Sequence, residues 1–259
     1  MSSSHKWSDI DSFESLRLQI EGTGKLIREG RLDLGKAQYS LCLLHGVYQA
    51  ILSGYQKISA VEFGVAEGHG LLDLCRAAEF FSAASGIDIE VYGLDSFQGL
   101  PKPIQHFDHP EIWTQGQFYH DPEILKKKLP DFARLLIGDV SDTVGQLESV
   151  VAAAPLAFVS LDLDFYTSTR AALSVFRFDQ NHYVPAVPTY VDDVFDLITY
   201  NEFSGAEKAL VEFTQGQDLR KIVRKPNFGI HNFFVTHILD HPIRNGLVKP
   251  KFQFEIAFV

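Results

Sequence analysis

From Ile58 onward the chain alternates short apolar runs with helix-forming stretches, and each run closes on or beside an acid. The runs are "ISAVEF", "IEVYGLD", "ARLLIGD", "PLAFVSLDLD" and "PTYVDD". Between the first two lies "LLDLCRAAEFFSAA", helix-forming and about the length that a crossover between parallel strands needs. This alternation predicts an α/β fold: a Rossmann-like, doubly wound, mostly parallel sheet with helices on both faces. Glu62, Asp95, Asp139, the pair Asp162 and Asp164, and the pair Asp192 and Asp193 mark the strand ends. Open parallel sheets bind ligands beyond the carboxyl ends of their strands, so these acids are expected along one edge.

The stretch "SLDLDFYTST" sharpens the question. Residues two apart in a strand share a face, and two like charges on one face at the end of a core strand repel. One at a time the acids have an ordinary explanation. Asp164 would cap the helix "TSTRAALSVF", and Asp192 with Asp193 would occupy a solvated turn. Together at successive strand ends they suit a hard cation, which takes oxygen ligands and relieves the repulsion.

"VEFGVAEGHG" follows the first parallel strand. Gly64, Gly68 and Gly70 permit a tight turn and a close backbone approach to a ligand. The spacing is G-x-x-x-G-x-G, whereas a dinucleotide site uses G-x-G-x-x-G. Glu62 stands two residues ahead of the first glycine, where a carboxylate suits a cationic ligand. S-adenosylmethionine has that character, carrying a sulfonium and an ammonium and no phosphate. Asp95, at the end of the second strand, is placed to accept ribose hydroxyls.

The flanks differ from this pattern. Residues 1–56 read as helical, with Leu41, Leu44, Tyr48 and Leu52 forming one apolar stripe in "YSLCLLHGVYQAIL" and Gly54 as a stop. The segment is expected to serve as a cap or as the contact of a homo-oligomer, with a dimer favoured. At the other end "HNFFVTHIL" and "FQFEIAFV" read as an antiparallel pair. Cys42 and Cys75 have no metal-ligand spacing and read as small core residues. A net charge of −10 argues against nucleic acid, and no apolar run is long enough for a membrane. The opening "MSSSHKWSDIDSFESL" lacks the apolar stretch of a secretory signal, and a cytoplasmic location is expected. "KKK" at Lys126–Lys128 reads as a solvated helix face.

With "VEFGVAEGHG", "VYGLDSFQGLP", "LDLDFYTST" and "YVDD" in this order, the chain resembles class I S-adenosylmethionine-dependent methyltransferases. More narrowly it resembles the macrocin O-methyltransferase family of sugar O-methyltransferases, over roughly residues 40–215. "DSFQGLP" is the most specific piece, and "WTQGQF" resembles the family's next loop. Leu163 stands where the family has a glycine between the two aspartates. The family's glycine-rich approach to the Asp-Asp pair is replaced by "HYVPAVPTYVDD".

The resemblance implies an S-adenosylmethionine site at Glu62, Gly64, Val65, Glu67, Gly68, Asp95, Ser96 and Asp162, with Gly138 and Asp139 bordering the adenine. It implies a divalent metal, Mg²⁺ by expectation, on Asp162, Asp192 and Asp193, and Asp164 as general base. Residues 57–259 would form the methyltransferase domain, with a lid insertion around 101–123. Within that lid His106, His109 and His120 follow no metal-ligand spacing and read as solvated; His45 reads as a packing residue. The expected acceptor is a hydroxyl of a sugar or glycosylated small molecule. A catechol-like vicinal diol, or a Rossmann-like nucleotide-binding protein without methyl transfer, are the alternatives.

Overall fold

The computed structural model describes residues 6–194, 201–225 and 232–252. The helix α1 (Phe13–Arg28) starts where the Ser12 hydroxyl accepts the N–H of Ser15. Helix α2 (Ala37–Ser53) ends on Gly54, whose φ of +77° closes the last turn. The strand β1 (Lys57–Phe63) leads into α3 (His69–Ser85), then β2 (Asp88–Asp95). Next come α4 (Pro122–Lys126), β3 (Ala133–Ile137), α5 (Val140–Thr143), α6 (Gln146–Val151) and β4 (Leu156–Leu161). The remainder is α7 (Tyr166–Ala172), β5 (Ala186–Val191), α8 (Gly205–Gln215), β6 (Arg220–Arg224) and β7 (Phe233–Ile238).

Among the described residues the seven strands form one sheet in the order β3-β2-β1-β4-β5-β7-β6. Pairing is parallel from β3 to β5, while β7 runs antiparallel to both β5 and β6. The order reverses direction between β1 and β4, and such a switch point opens a crevice at the carboxyl edge. Both central strands are buried on both faces: every residue of β4 is buried, as is all of β1 after Lys57. This explains their continuous apolar runs.

The sequence places the antiparallel partner of "HNFFVTHIL" at "FQFEIAFV", but both edges of β7 are taken by β5 and β6. Residues 253–259 lie outside the described residues. The strand that pairs there, "RKIVR", is an edge strand carrying Arg220, Lys221 and Arg224. Such charges suit an edge and conceal a strand from apolar pattern reading.

Half of the stripe on α2 is buried inside the chain and half is partly exposed. Leu41 and Leu44 lie in the core with the sheet residues, and α1 covers Tyr48, whose ring centroid is 6.4 Å from that of Phe13. Tyr48 and Leu52 are half-buried against the same core, so the stripe serves at least as a cover for the sheet. Cys42 and Cys75 are free and buried, and Lys126–Lys128 are exposed, as their patterns suggest. Among the described residues no helix is long and apolar enough to cross a membrane.

Candidate active site

The loop after β1 is shaped by close approaches that only glycine allows. Gly64 has a φ of +82°, and a Cβ there would lie 1.6 Å from the carbonyl oxygen of Asp162. Asp95 fastens the same loop: its Oδ2 accepts the N–H groups of Val65 (2.7 Å) and Ala66 (2.9 Å), and Oδ1 accepts Phe97 N–H (2.6 Å). The residue expected to meet a ribose thus also holds the backbone of the glycine loop. Ser96 accepts the N–H of Gln98, and Glu67 stands at the rim near His69 and His120. Gly138 has a φ of +152°, and Asp139 caps α5 by accepting Ser141 N–H at 2.8 Å.

Glu62 is buried. Its Oε1 accepts the Tyr39 hydroxyl at 2.7 Å, and that hydroxyl in turn accepts from Ser160 Oγ at 2.7 Å. The absence of a side chain at Gly70 makes room, since a Cβ would fall 2.3 Å from Glu62 Oε1. Glu62 Oε2 is buried with no hydrogen-bond partner among the described residues. Burial pushes this carboxyl up to about 8, against the opposing pull of the Tyr39 hydrogen bond. A buried carboxyl with one oxygen unanswered suits a cationic group of a ligand, whose charge would favour the ionised form.

The aspartates converge by a turn and not by strand alternation. β4 stops at Leu161, although the sequence reads as a strand through Asp164. Asp162 N–H still bonds Phe63 O at 2.9 Å, and Asp192 N–H bonds Leu161 O at 3.0 Å, so both leave the sheet side by side. The chain then reverses about Asp164, which has a φ of +59°, with Phe165 N–H bonding Leu163 O at 2.5 Å. A three-residue turn of this hand is rare and strained. It brings Asp164 back among the others. Asp162, Asp192 and Asp193 each offer an oxygen, all within 4.8 Å of one another. Three hard oxygens fit a divalent cation such as Mg²⁺.

Desolvation, then the charges of Asp193, Asp162 and Asp192, raises the Asp164 carboxyl well above the usual range, and a hydrogen bond joins it to Asp193. Asp162 is raised too, by desolvation and then by Asp192. The helix-cap explanation for Asp164 does not hold. The N-cap of α7 is Phe165, with no side-chain cap, and the N–H of Thr167 bonds Asp108 Oδ1 at 3.0 Å instead.

Asp108 also accepts Ile104 N–H and the Thr167 hydroxyl, tying the segment around 101–123 to α7. The motifs "DSFQGLP" and "WTQGQF" are joined directly, by Leu100 N–H to Gln117 O (2.7 Å) and Gly116 N–H to Leu100 O (2.9 Å). His109 is buried against Glu111 and not solvated, while His106 is exposed. His45 packs on Phe233 with ring centroids 5.9 Å apart.

A cavity of about 1120 Å³ lies over this edge, and every residue singled out from the sequence for cofactor, metal or base lines it. Trp113 and Phe118 of the 101–123 segment also line it, with ring centroids 5.9 Å apart. Sequence reasoning missed Lys36, Tyr39, Asp108 and Tyr190. Lys36, Tyr39 and Asp108 act through contacts distant in sequence, and Tyr190, though it opens "YVDD", meets Tyr39 and Lys36 only in the fold.

The sheet order, the antiparallel β7 and the glycine loop at the switch point define a class I methyltransferase fold. Two solved structures are similar over much of this chain. One is CalS11, described as a calicheamicin methyltransferase (TM-score 0.53, 17% identity, covering 92% of this chain and 98% of that one). The other is the O-methyltransferase NovP (TM-score 0.50, 19% identity, covering 78% of this chain and 79% of that one). At such identities the likeness establishes the fold. A scan against protein-family models finds no match, and no curated protein matches in sequence.

Proposed function

We propose that this chain is an S-adenosylmethionine-dependent, divalent-metal-assisted O-methyltransferase acting on a hydroxyl of a sugar or glycosylated small molecule. The observation that carries this reading is Asp164, which is released from helix capping and turned at a positive φ into a cavity shared with Glu62 and three converging aspartates. S-adenosylmethionine bound in that cavity would supply an activated methyl group, and Asp162, Asp192 and Asp193 would hold a divalent ion able to acidify a hydroxyl.

The remaining work falls to the protein. Glu62 would meet the cofactor's ammonium with Oε2, while the Tyr39 hydroxyl, itself bonded by Ser160, fixes its other oxygen. Asp164 receives the acceptor's proton as the oxygen becomes nucleophilic. Among the described lining residues nine are acidic, and Lys36 is the one lysine or arginine. That wall suits a cationic cofactor and disfavours a pyrophosphate, which speaks against the alternative of a nucleotide-binding protein without methyl transfer. The descriptions of CalS11 as a calicheamicin methyltransferase and of NovP as an O-methyltransferase agree with methyl transfer.

The test is transfer of labelled methyl from the cofactor to a panel holding neutral glycosides, a catechol and a nucleotide sugar. Label on a glycoside hydroxyl, lost on chelation and restored by Mg²⁺, is expected. Transfer that survives exhaustive chelation would remove the metal from the reading. Transfer confined to the catechol would move the acceptor to aromatic vicinal diols.

A further inference from the structure

Lys36 precedes α2, and its backbone is fixed to α3. Its N–H donates to Asp73 Oδ2 at 2.7 Å. Gly35, at a φ of +87°, passes so close that a Cβ would fall 2.1 Å from Asp73 Cγ. From this anchor the side chain reaches the acid cluster. Its Nζ lies 3.6 Å from Asp162 Oδ2 and 3.4 Å from Asp192 Oδ1. The same ammonium sits 4.4 Å from the centroid of Tyr39 and 4.6 Å from that of Tyr190.

Neither ring is loose. The two meet edge to face at 5.2 Å, Tyr39 donates to Glu62, and Tyr190 donates to Asp192 Oδ1 at 2.5 Å. The ammonium therefore has two sets of partners, carboxylate oxygens on one side and aromatic faces on the other.

We propose that Lys36 is the resident counter-cation of the aspartate cluster, holding Asp162 and Asp192 together when no metal is bound and yielding their oxygens to an entering divalent ion. This rests on the metal reading above. Asp162 and Asp192 are both metal candidates, and their oxygens lie within reach of both cations. Two positive charges at such separations repel, so each weakens the hold of the other. On displacement the ammonium can remain over Tyr39 and Tyr190. Lys36 is thus a positioning residue that lowers divalent-ion affinity and keeps the ion exchangeable.

The experiment is Mn²⁺ titration of the full chain, read by the loss of the free-ion paramagnetic resonance signal, with no acceptor or turnover needed. Lys36→Met keeps an apolar stem against the two rings and removes the charge. It should bind Mn²⁺ tighter than wild type by about tenfold or more. Lys57→Met serves as a control, because Lys57 pairs with Glu90 at the start of β1, away from the carboxyl edge, and should leave the affinity unchanged. If Lys36→Met fails to fold, Lys36→Gln takes its place with the same expectation.

Equal or weaker Mn²⁺ binding by the Lys36 variant would overturn the proposal while leaving the metal site standing. An equal gain in Lys57→Met would overturn it too, by showing a general charge effect. Absence of Mn²⁺ binding in both wild type and the Lys36 variants would end the metal reading and this proposal together.

Discussion

Glu62 keeps its proton to about pH 8 because burial disfavours the charge, although Tyr39 donates to one of its oxygens. The folded chain therefore binds this proton more tightly than the unfolded chain does. Ligand-free stability should fall as pH rises from the ordinary carboxylate range towards 8, by about 1.4 kcal/mol per unit at most. Glu62→Gln should flatten that fall, so that denaturant unfolding at pH 8 finds the variant more stable than wild type. It should also lose the thermal stabilisation given by S-adenosylmethionine. Asp164→Asn has a different signature: cofactor and Mn²⁺ binding stay near wild type, while turnover drops by about a hundredfold or more. Wild-type turnover in this pair would make the turn at Asp164 structural. The acids were legible in the sequence because each closes an apolar run. Tyr39 and Lys36 were not, because the contacts that give them a role reach across 23 and 156 residues.

Helix α7 and the 101–123 segment meet through Asp108 and through the rings of Phe107 and Tyr166, whose centroids are 5.6 Å apart. Asp108 accepts the N–H and the hydroxyl of Thr167 across that junction, and Ile104 N–H within its own segment. Asp108→Ala leaves buried donors unanswered and should destabilise the chain by about 1–3 kcal/mol in denaturant unfolding. Because the same segment lines the cavity, acceptor KM should rise more than kcat falls. Gly64→Ala tests the loop after β1: the added Cβ meets the Asp162 carbonyl oxygen in a backbone conformation that alanine resists. The variant should lose cofactor binding and melt earlier, and an unchanged melting curve would contradict the close packing of these two strand ends. The five parallel strands were readable because each holds a short apolar run, longest in β4, which is buried on both faces. β6 was not, since an edge strand with three basic residues has no such run. The end of β4 was misread for another reason: Asp164 can adopt a left-handed turn that nothing in "SLDLDFYTST" announces.

At the scale of the molecule, the strand order places the ends of β1 and β4 together, and this one topological fact gathers residues from 36 to 193 around a single cavity. The parallel half of the sheet and the acidic edge follow from the sequence pattern. The covering of the sheet by α2 does not, because an apolar stripe reads the same against a sheet or against a second chain. An acid-lined cavity with an unanswered oxygen on Glu62 should accept a sulfonium and ammonium ligand and reject a pyrophosphate. Titration calorimetry of the full chain with S-adenosylmethionine, its demethylated product and NAD, run in parallel, tests this most directly. One-to-one binding of the first two is expected, adding about 2.7 kcal/mol of stability at a hundredfold excess over Kd. NAD should give no heat of binding. Heat from NAD alone, or from none of the three, would contradict the assignment of this cavity to S-adenosylmethionine.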